Sequence, residues 1–171
     1  YNPFIPIQDR IYECLLQEII TLKVKPGERL RETDTADRFE VSRTPVKSAL
    51  ERLTEEGFVV KDQKMLLVAP LNSIDYSYLC DVREMIEGTA AYYAAKQITD
   101  RQLDSLKKVV FNYFEVFESN QLHRYETVSH EFHTLVIEAS NNPYLIQAYD
   151  SIQHKILRYK YYAHETWGGE R

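Results

Sequence analysis

Arg43, Thr44, Lys47 and Ser48 set two cations and two hydroxyls at the start of one short helical stretch. Those types, so spaced, suit contacts to phosphates and to base edges in a major groove. Ser42 is a good N-cap, and Pro45 falls in the first turn, where a missing N–H is tolerated. Val46, Ala49, Leu50 and Leu53 recur at i, i+3, i+4 and i+7 and give the helix one apolar stripe. The basic residues are left opposite it. An ordinary solvated face would look the same in isolation, so the surrounding elements decide.

Upstream, Ile7, Ile11, Cys14, Leu15, Ile19 and Leu22 predict an amphipathic helix over about 7–23, stopped by Pro26-Gly27. A second short helix is expected from about Arg31 to Phe39, with Ala36 and Phe39 buried. Only Glu40 and Val41 then precede Ser42, a helix-turn-helix spacing. Gly57 suits a positive-φ stop for the third helix. Phe58-Val59-Val60 and Met65-Leu66-Leu67-Val68 flank polar Lys61-Asp62-Gln63-Lys64, which predicts a two-stranded wing with Gln63 and Lys64 at its tip.

Residues 8–70 resemble the winged-helix domain of GntR-type bacterial transcription regulators. The resemblance is carried by Leu22, Pro26-Gly27, Leu30, Glu32, Ala36, Val41-Ser42-Arg43-Thr44-Pro45-Val46, Ala49-Leu50, Leu53 and Glu56-Gly57. It implies operator contacts by Arg43 and the hydroxyls beside it, and Arg31, Thr33, Ser42, Thr44, Lys47, Gln63 and Lys64 complete the candidate DNA-binding set. Three positions depart from the family pattern: Lys47 in place of a second arginine, Thr35 in place of leucine, and Glu40 in place of a turn glycine. Lysine keeps the charge but loses bidentate geometry toward guanine, which makes Lys47 a phosphate anchor.

Composition is that of a folded protein, with 44% hydrophobic and 27% charged residues in 171. No run approaches the roughly 18 apolar residues of a membrane span, and no signal peptide is visible. Cys14 and Cys80 read as buried free thiols, which suits a cytoplasmic protein. The net charge of −5 is unusual for a nucleic-acid partner. It is uneven, however: residues 1–70 hold 11 Lys/Arg against 12 Asp/Glu, whereas residues 71–171 hold 10 against 14. Local placement of cations outweighs the total.

Two domains are therefore expected, 1–70 and 71–171, in a mostly α protein: a winged helix-turn-helix of three helices plus a two-stranded wing, then an all-helical antiparallel bundle. Helices are predicted over 73–97, from a Thr99–Gln102 capping box onward, over 121–140, and over 143–163. Their buried sides are expected at Leu79, Val82, Ile86, Ala90 and Tyr93; at Leu103, Leu106, Val110, Tyr113 and Phe117; and at Leu145, Ala148, Ile152, Ile156 and Tyr159. His154 is out of phase with the last stripe and is expected to face solvent or a partner.

This half resembles the FCD effector domain found behind one branch of GntR-type regulators. Asp81-Val82-Arg83, Glu87, Ala90-Ala91, Ala94-Ala95, Phe132-His133, Glu138-Ala139-Ser140 and Asn142-Pro143-Tyr144-Leu145 carry it. The resemblance implies further helices after residue 171, so the bundle is expected to be incomplete here. It also implies a divalent metal (Zn, Ni or Mn) held by one aspartate and three histidines. His133 matches one ligand, but Ser129 stands at the aspartate's place, with His130 or Glu126 as substitutes. The preferred reading of His133 is a hydrogen-bonded histidine in a polar cavity without metal, with metal ligation as the alternative. Arg83 is either a clamp for a carboxylate effector or the i+4 partner of Glu87, and Arg83, His133 and Asn142 are the candidate effector residues.

The expected function is a sequence-specific regulator, without catalysis, that binds double-stranded operator DNA as a homodimer under control of a small organic acid. A regulator-like interaction protein that has lost effector sensing is the alternative. A metal-dependent enzyme is disfavoured, because His130 and His133 lack the His-Glu-x-x-His spacing and five glycines leave little room for a phosphate loop.

Overall fold

The computed structural model describes residues 5–118 and 122–167 and divides into two compact units, meeting at Asn72 and Ser73. The N-terminal unit runs α1 (Ile7–Ile20), β1 (Arg29–Leu30), α2 (Glu32–Phe39), α3 (Arg43–Glu55), β2 (Val59–Asp62) and β3 (Met65–Val68). Its core is the packing of α1 on α3. Ile11, Leu15, Leu16, Ile19 and Ile20 meet Val46, Leu50 and Leu53, all virtually inaccessible to solvent. Each such side chain contributes roughly 1.5–3 kcal/mol when fully buried. Arg52 adds a clasp at the far end of α3. Its guanidinium lies 3.6 Å from the Tyr12 ring centroid, and the Tyr12 hydroxyl donates to Glu56 at 2.5 Å. Burial and the Glu56 carboxylate together push the Tyr12 hydroxyl well above its ordinary pKa.

Two boundaries differ from the expected ones for a stated reason. Helix α1 stops at Ile20, because Leu22 turns left-handed (φ 58) and drops its side chain into the core. The Pro26-Gly27 turn then does more than end a helix. Gly27 (φ 79) donates to the Val68 carbonyl at 2.9 Å, and β1 joins the wing with Arg29 opposite Leu67. The sheet thus has three antiparallel strands in the order β1-β3-β2, one more than the wing predicted from sequence. The wing strand β2 also continues through Lys61 and Asp62, leaving a two-residue connection, Gln63-Lys64, with Gln63 left-handed at φ 52.

The turn between α2 and α3 follows the Schellman pattern. Glu40 N–H donates to Asp37 and Val41 N–H to Ala36, with Glu40 at φ 55 and ψ 45. Gly57 (φ 80) closes α3 the same way. Thr35 is buried at the family's leucine position.

The C-terminal unit is four helices: α4 (Ser73–Gln97), α5 (Asp100–Glu118), α6 (Leu122–Ala139) and α7 (Pro143–Trp167). The Thr99 capping box forms as expected. Thr99 N–H donates to Gln102 Oε1 at 3.0 Å, and Gln102 N–H returns to Thr99 Oγ1 at 3.3 Å. Helix α6 packs against the other three, and α7 also packs on α4. Two clusters result, Ala90-Ile137-Tyr149 and Val109-Val116-Val128. The expected stripes on α4 and α5 need correction. Val82, Tyr93, Leu103 and Phe117 are exposed, and α4 buries Ala90 and Ala94 while α5 buries Val109 and Val116. Helix α5 packs chiefly on α6, so only a narrow seam of it is covered. Cys14 and Cys80 are free thiols, half-buried rather than fully buried.

Glu40 holds a left-handed backbone that disfavours a residue with a Cβ. Glu40→Gly is expected to raise the unfolding free energy by roughly 0.5–1 kcal/mol, strain relief exceeding the extra chain entropy of glycine. Urea denaturation reads the shift; an unchanged or lowered midpoint would show the turn to be unstrained.

Candidate DNA interface and interior polar cluster

Helix α3, like α1 and α2, starts without a side-chain capping hydrogen bond. Ser42 sits at the N-cap in extended conformation, but its hydroxyl makes no capping hydrogen bond. An N-cap oxygen normally accepts from the second or third helical N–H, and the third residue here is Pro45, which has none. Backbone N–H groups at this end therefore point outward, the arrangement that receives phosphate.

All eight candidate DNA residues are exposed: Arg31, Thr33, Ser42, Arg43, Thr44, Lys47, Gln63 and Lys64. The fold gathers most of them around two neighbouring hollows. One is bordered by Arg29, Arg31, Glu32, Thr33, Arg43 and Lys64, and so joins β1, α2, the start of α3 and the wing tip. The other runs between α3 and the wing and is bordered by Lys47, Glu51, Lys61, Gln63 and Lys64. Ser42 and Thr44 line neither. Arg29 escaped sequence reasoning because β1 did; two residues with one outward cation give no periodicity to read.

The cations are held by carboxylates. Arg43 Nη2 lies 3.1 Å from Glu32 Oε2, Lys47 is 3.7 Å from Glu51, and Arg31 is 3.6 Å from Asp34. With one or both partners well exposed, such pairs stabilise by at most about 1 kcal/mol and yield readily to a phosphate or guanine.

The helical unit has a second polar assembly inside it. Helix α4 supplies Arg83 and Glu87, α6 supplies Glu126, Ser129, His130 and His133, and α7 supplies Lys160 and His164. Arg83 Nε donates to Glu87 Oε1 at 2.6 Å, and His133 Nδ1 reaches the same oxygen at 3.0 Å. Burial alone would raise the Glu87 pKa, but the hydrogen bonds from His133 and Arg83 outweigh it and hold the carboxyl below its ordinary value. At the other end, Lys160 Nζ is 2.6 Å from Glu126 Oε2, and His164 Nε2 is 3.1 Å from Glu126 Oε1. Between them a small cavity is lined by Arg83, His130, His133, Tyr149, Gln153 and Lys160. The Tyr149 hydroxyl is pushed up to about 12 by burial.

Arg83 and His133 are thus brought together, as is His130. Asn142 is not among the residues lining this cavity. Its Oδ1 accepts from the N–H groups of Tyr144 and Leu145 at 3.1 and 3.4 Å, and so caps α7. His154, expected to face solvent or a partner, is half-buried, and its charge bears on His130. Lys160 and His164 were missed, although Gln153, Leu157, Lys160 and His164 repeat at helical spacing beside the apolar stripe.

Burial, reinforced by the nearby His154, Lys160, His133 and Arg83, lowers the His130 pKa to about 4 from 6.5. The unfolded chain then takes up this proton first as pH falls. Stability is fully present above pH 6.5 and declines toward pH 4, by up to about 3 kcal/mol from this group. His130→Gln is expected to flatten that part of the pH–stability curve in chemical denaturation. Parallel curves for the two proteins would remove His130 as the source.

Comparison with known proteins adds the family. Residues 7–65 match the family described as bacterial regulatory proteins, gntR family, and residues 78–170 match the FCD domain. The HTH-type transcriptional repressor RspR of Escherichia coli is 26% identical over 161 residues, covering 94% of this chain and 71% of that protein. The Nta operon transcriptional regulator of Aminobacter aminovorans is 30% identical over 140 residues, covering 80% of this chain and 65% of its own length. Among solved structures, Escherichia coli McbR/YncC superposes with TM-score 0.78 at 20% identity over 96% of this chain and 78% of the other, a likeness of fold alone. With a basic hollow at the start of α3 and a four-helix unit following in the sequence, the chain belongs to the FCD-domain branch of the GntR-family transcription regulators.

Proposed function

We propose that this chain reads a specific operator through α3 and the wing, and that a small organic acid bound by the helical unit sets its affinity for that operator. The observation carrying the first part is the convergence of Arg29, Arg31, Arg43 and Lys64 on one hollow beside the open N-terminus of α3. Arg43 is the base reader, since its guanidinium can grip guanine with two parallel bonds. Lys47 and Lys64 hold phosphates, and Arg31, Thr33, Ser42, Thr44 and Gln63 complete the contact. A homodimer supplies two such surfaces to a roughly palindromic site, in the cytoplasm, where the DNA is. Among the described residues, no helix is long and apolar enough to cross a membrane.

The effector part rests on Arg83 and His133, which line a cavity in the unit that matches the FCD domain. Arg83 is already paired with Glu87, so an incoming carboxylate competes with a resident one. That same pairing favours a second reading, a regulator without effector control. By linkage, an acid that shifts operator affinity is itself bound with an affinity changed by the same factor when operator is present. A thermal-shift screen of small acids separates the two readings, since only the first expects an acid whose stabilising effect is lost in Arg83→Ala.

For DNA, fluorescence anisotropy on the protein's own upstream region is the direct measurement. Arg43→Ala is expected to weaken specific binding by about 5- to 150-fold, equivalent to roughly 1–3 kcal/mol, with an unchanged melting temperature. Lys47→Ala should weaken specific and nonspecific DNA alike and lower the slope of log affinity against log salt by about one. Operator affinity unchanged in Arg43→Ala would remove Arg43 from the site, and no salt-dependent binding to any DNA would overturn the reading.

A further inference from the structure

The divalent ion implied for FCD domains meets a divided donor set in this chain. His133 fits. Its Nδ1 is engaged by Glu87 at 3.0 Å, which leaves Nε2 for coordination, and a carboxylate behind the ring is how metal-bound histidines are usually oriented. The opposite side does not fit. Ser129, at the aspartate's place, offers a neutral hydroxyl, and Lys160 Nζ lies 3.5 Å from it. The same ammonium sits 2.6 Å from Glu126, and His164 takes the other Glu126 oxygen at 3.1 Å. His164 thus hydrogen-bonds one Glu126 oxygen, while the other is paired with the ammonium by charge alone and has no hydrogen-bond partner.

Lys160 and Glu126 are largely buried, at 16% and 10% side-chain exposure, so solvent screens the fixed positive charge poorly. Arg83 brings a second cation to the same cavity. A divalent ion entering beside Ser129 would meet this ammonium at close range, and the Glu126 carboxylate there is already neutralised by it. Among the described residues, no three His, Cys, Asp or Glu side chains converge to hold an ion.

We infer that the Lys160 ammonium takes the role of the family's metal: it is the built-in cation that neutralises Glu126 beside Ser129 and His133, and it keeps this site free of divalent ions. The inference concerns the helical unit and stands apart from DNA recognition.

The test is metal retention, read by elemental analysis after incubating the untagged protein with Zn²⁺, Ni²⁺ or Mn²⁺ alone and removing free ion. The wild-type protein is expected to retain no metal that depends on His133, so wild type and His133→Ala should give equal values. The double variant Ser129→Asp with Lys160→Met supplies an anion, frees Glu126 and removes the ammonium. It should retain close to one ion per chain, lost again on adding His133→Ala, with a metal-dependent rise in melting temperature as a second readout. Circular dichroism confirms folding, and Lys160→Gln replaces Lys160→Met if the first pair fails to fold. Wild-type metal abolished by His133→Ala would overturn the inference. So would a folded double variant that binds none, since Lys160 would then not be the obstacle.

Discussion

The turn between α2 and α3 is the constraint on which the winged unit depends. Glu40 and Val41 join Phe39 to Ser42, and a reversal that short requires one residue in the left-handed region. Glu40 occupies it, and the two Schellman bonds satisfy the last carbonyls of α2. Because α2 is thereby fixed against α3, Glu32 at the start of one helix reaches Arg43 at the start of the other. Backbone geometry in the turn thus sets where a guanidinium waits. The surface pair adds little stability, but it holds the side chain near the place where DNA would meet it.

The helical unit solves a different problem, that of keeping ionic groups inside a bundle. Glu87 is met by Arg83 and His133, and Glu126 by Lys160 and His164. Each carboxylate has one permanent cation and one imidazole, so neither is left as an uncompensated buried charge, the situation that destabilises most. His130 lies between the two groups near the cations of both, and its depressed pKa follows from that position.

Much of this was legible in the chain, and the parts that were not share a physical cause. The α3 stripe, the Gly57 stop and the Thr99 capping box are local patterns, in which neighbouring residues alone decide the outcome. Strand β1 is not local: it exists because β3 is there to pair with it. The faces of α4 and α5 failed for a related reason. Apolar periodicity states that a face is buried but not how wide it is, and α5 covers only the seam touching α6. Lys160 shows the limit most clearly. A lysine on a helix is ordinarily solvated, and only the approach of α6 turns this one into the partner of Glu126.

The pairing of Arg29 with Leu67 spans most of the winged unit. Contacts between α1 and α3 close loops just as long, since Tyr12 reaches Glu56 across 44 residues, so the helical core and the sheet both depend on long-range closure. Arg29 reaches the basic hollow only through its strand pairing, so the hollow is complete only once the sheet has closed. A lesion that weakens this strand pairing would deplete the binding-competent population while leaving the helix content nearly intact.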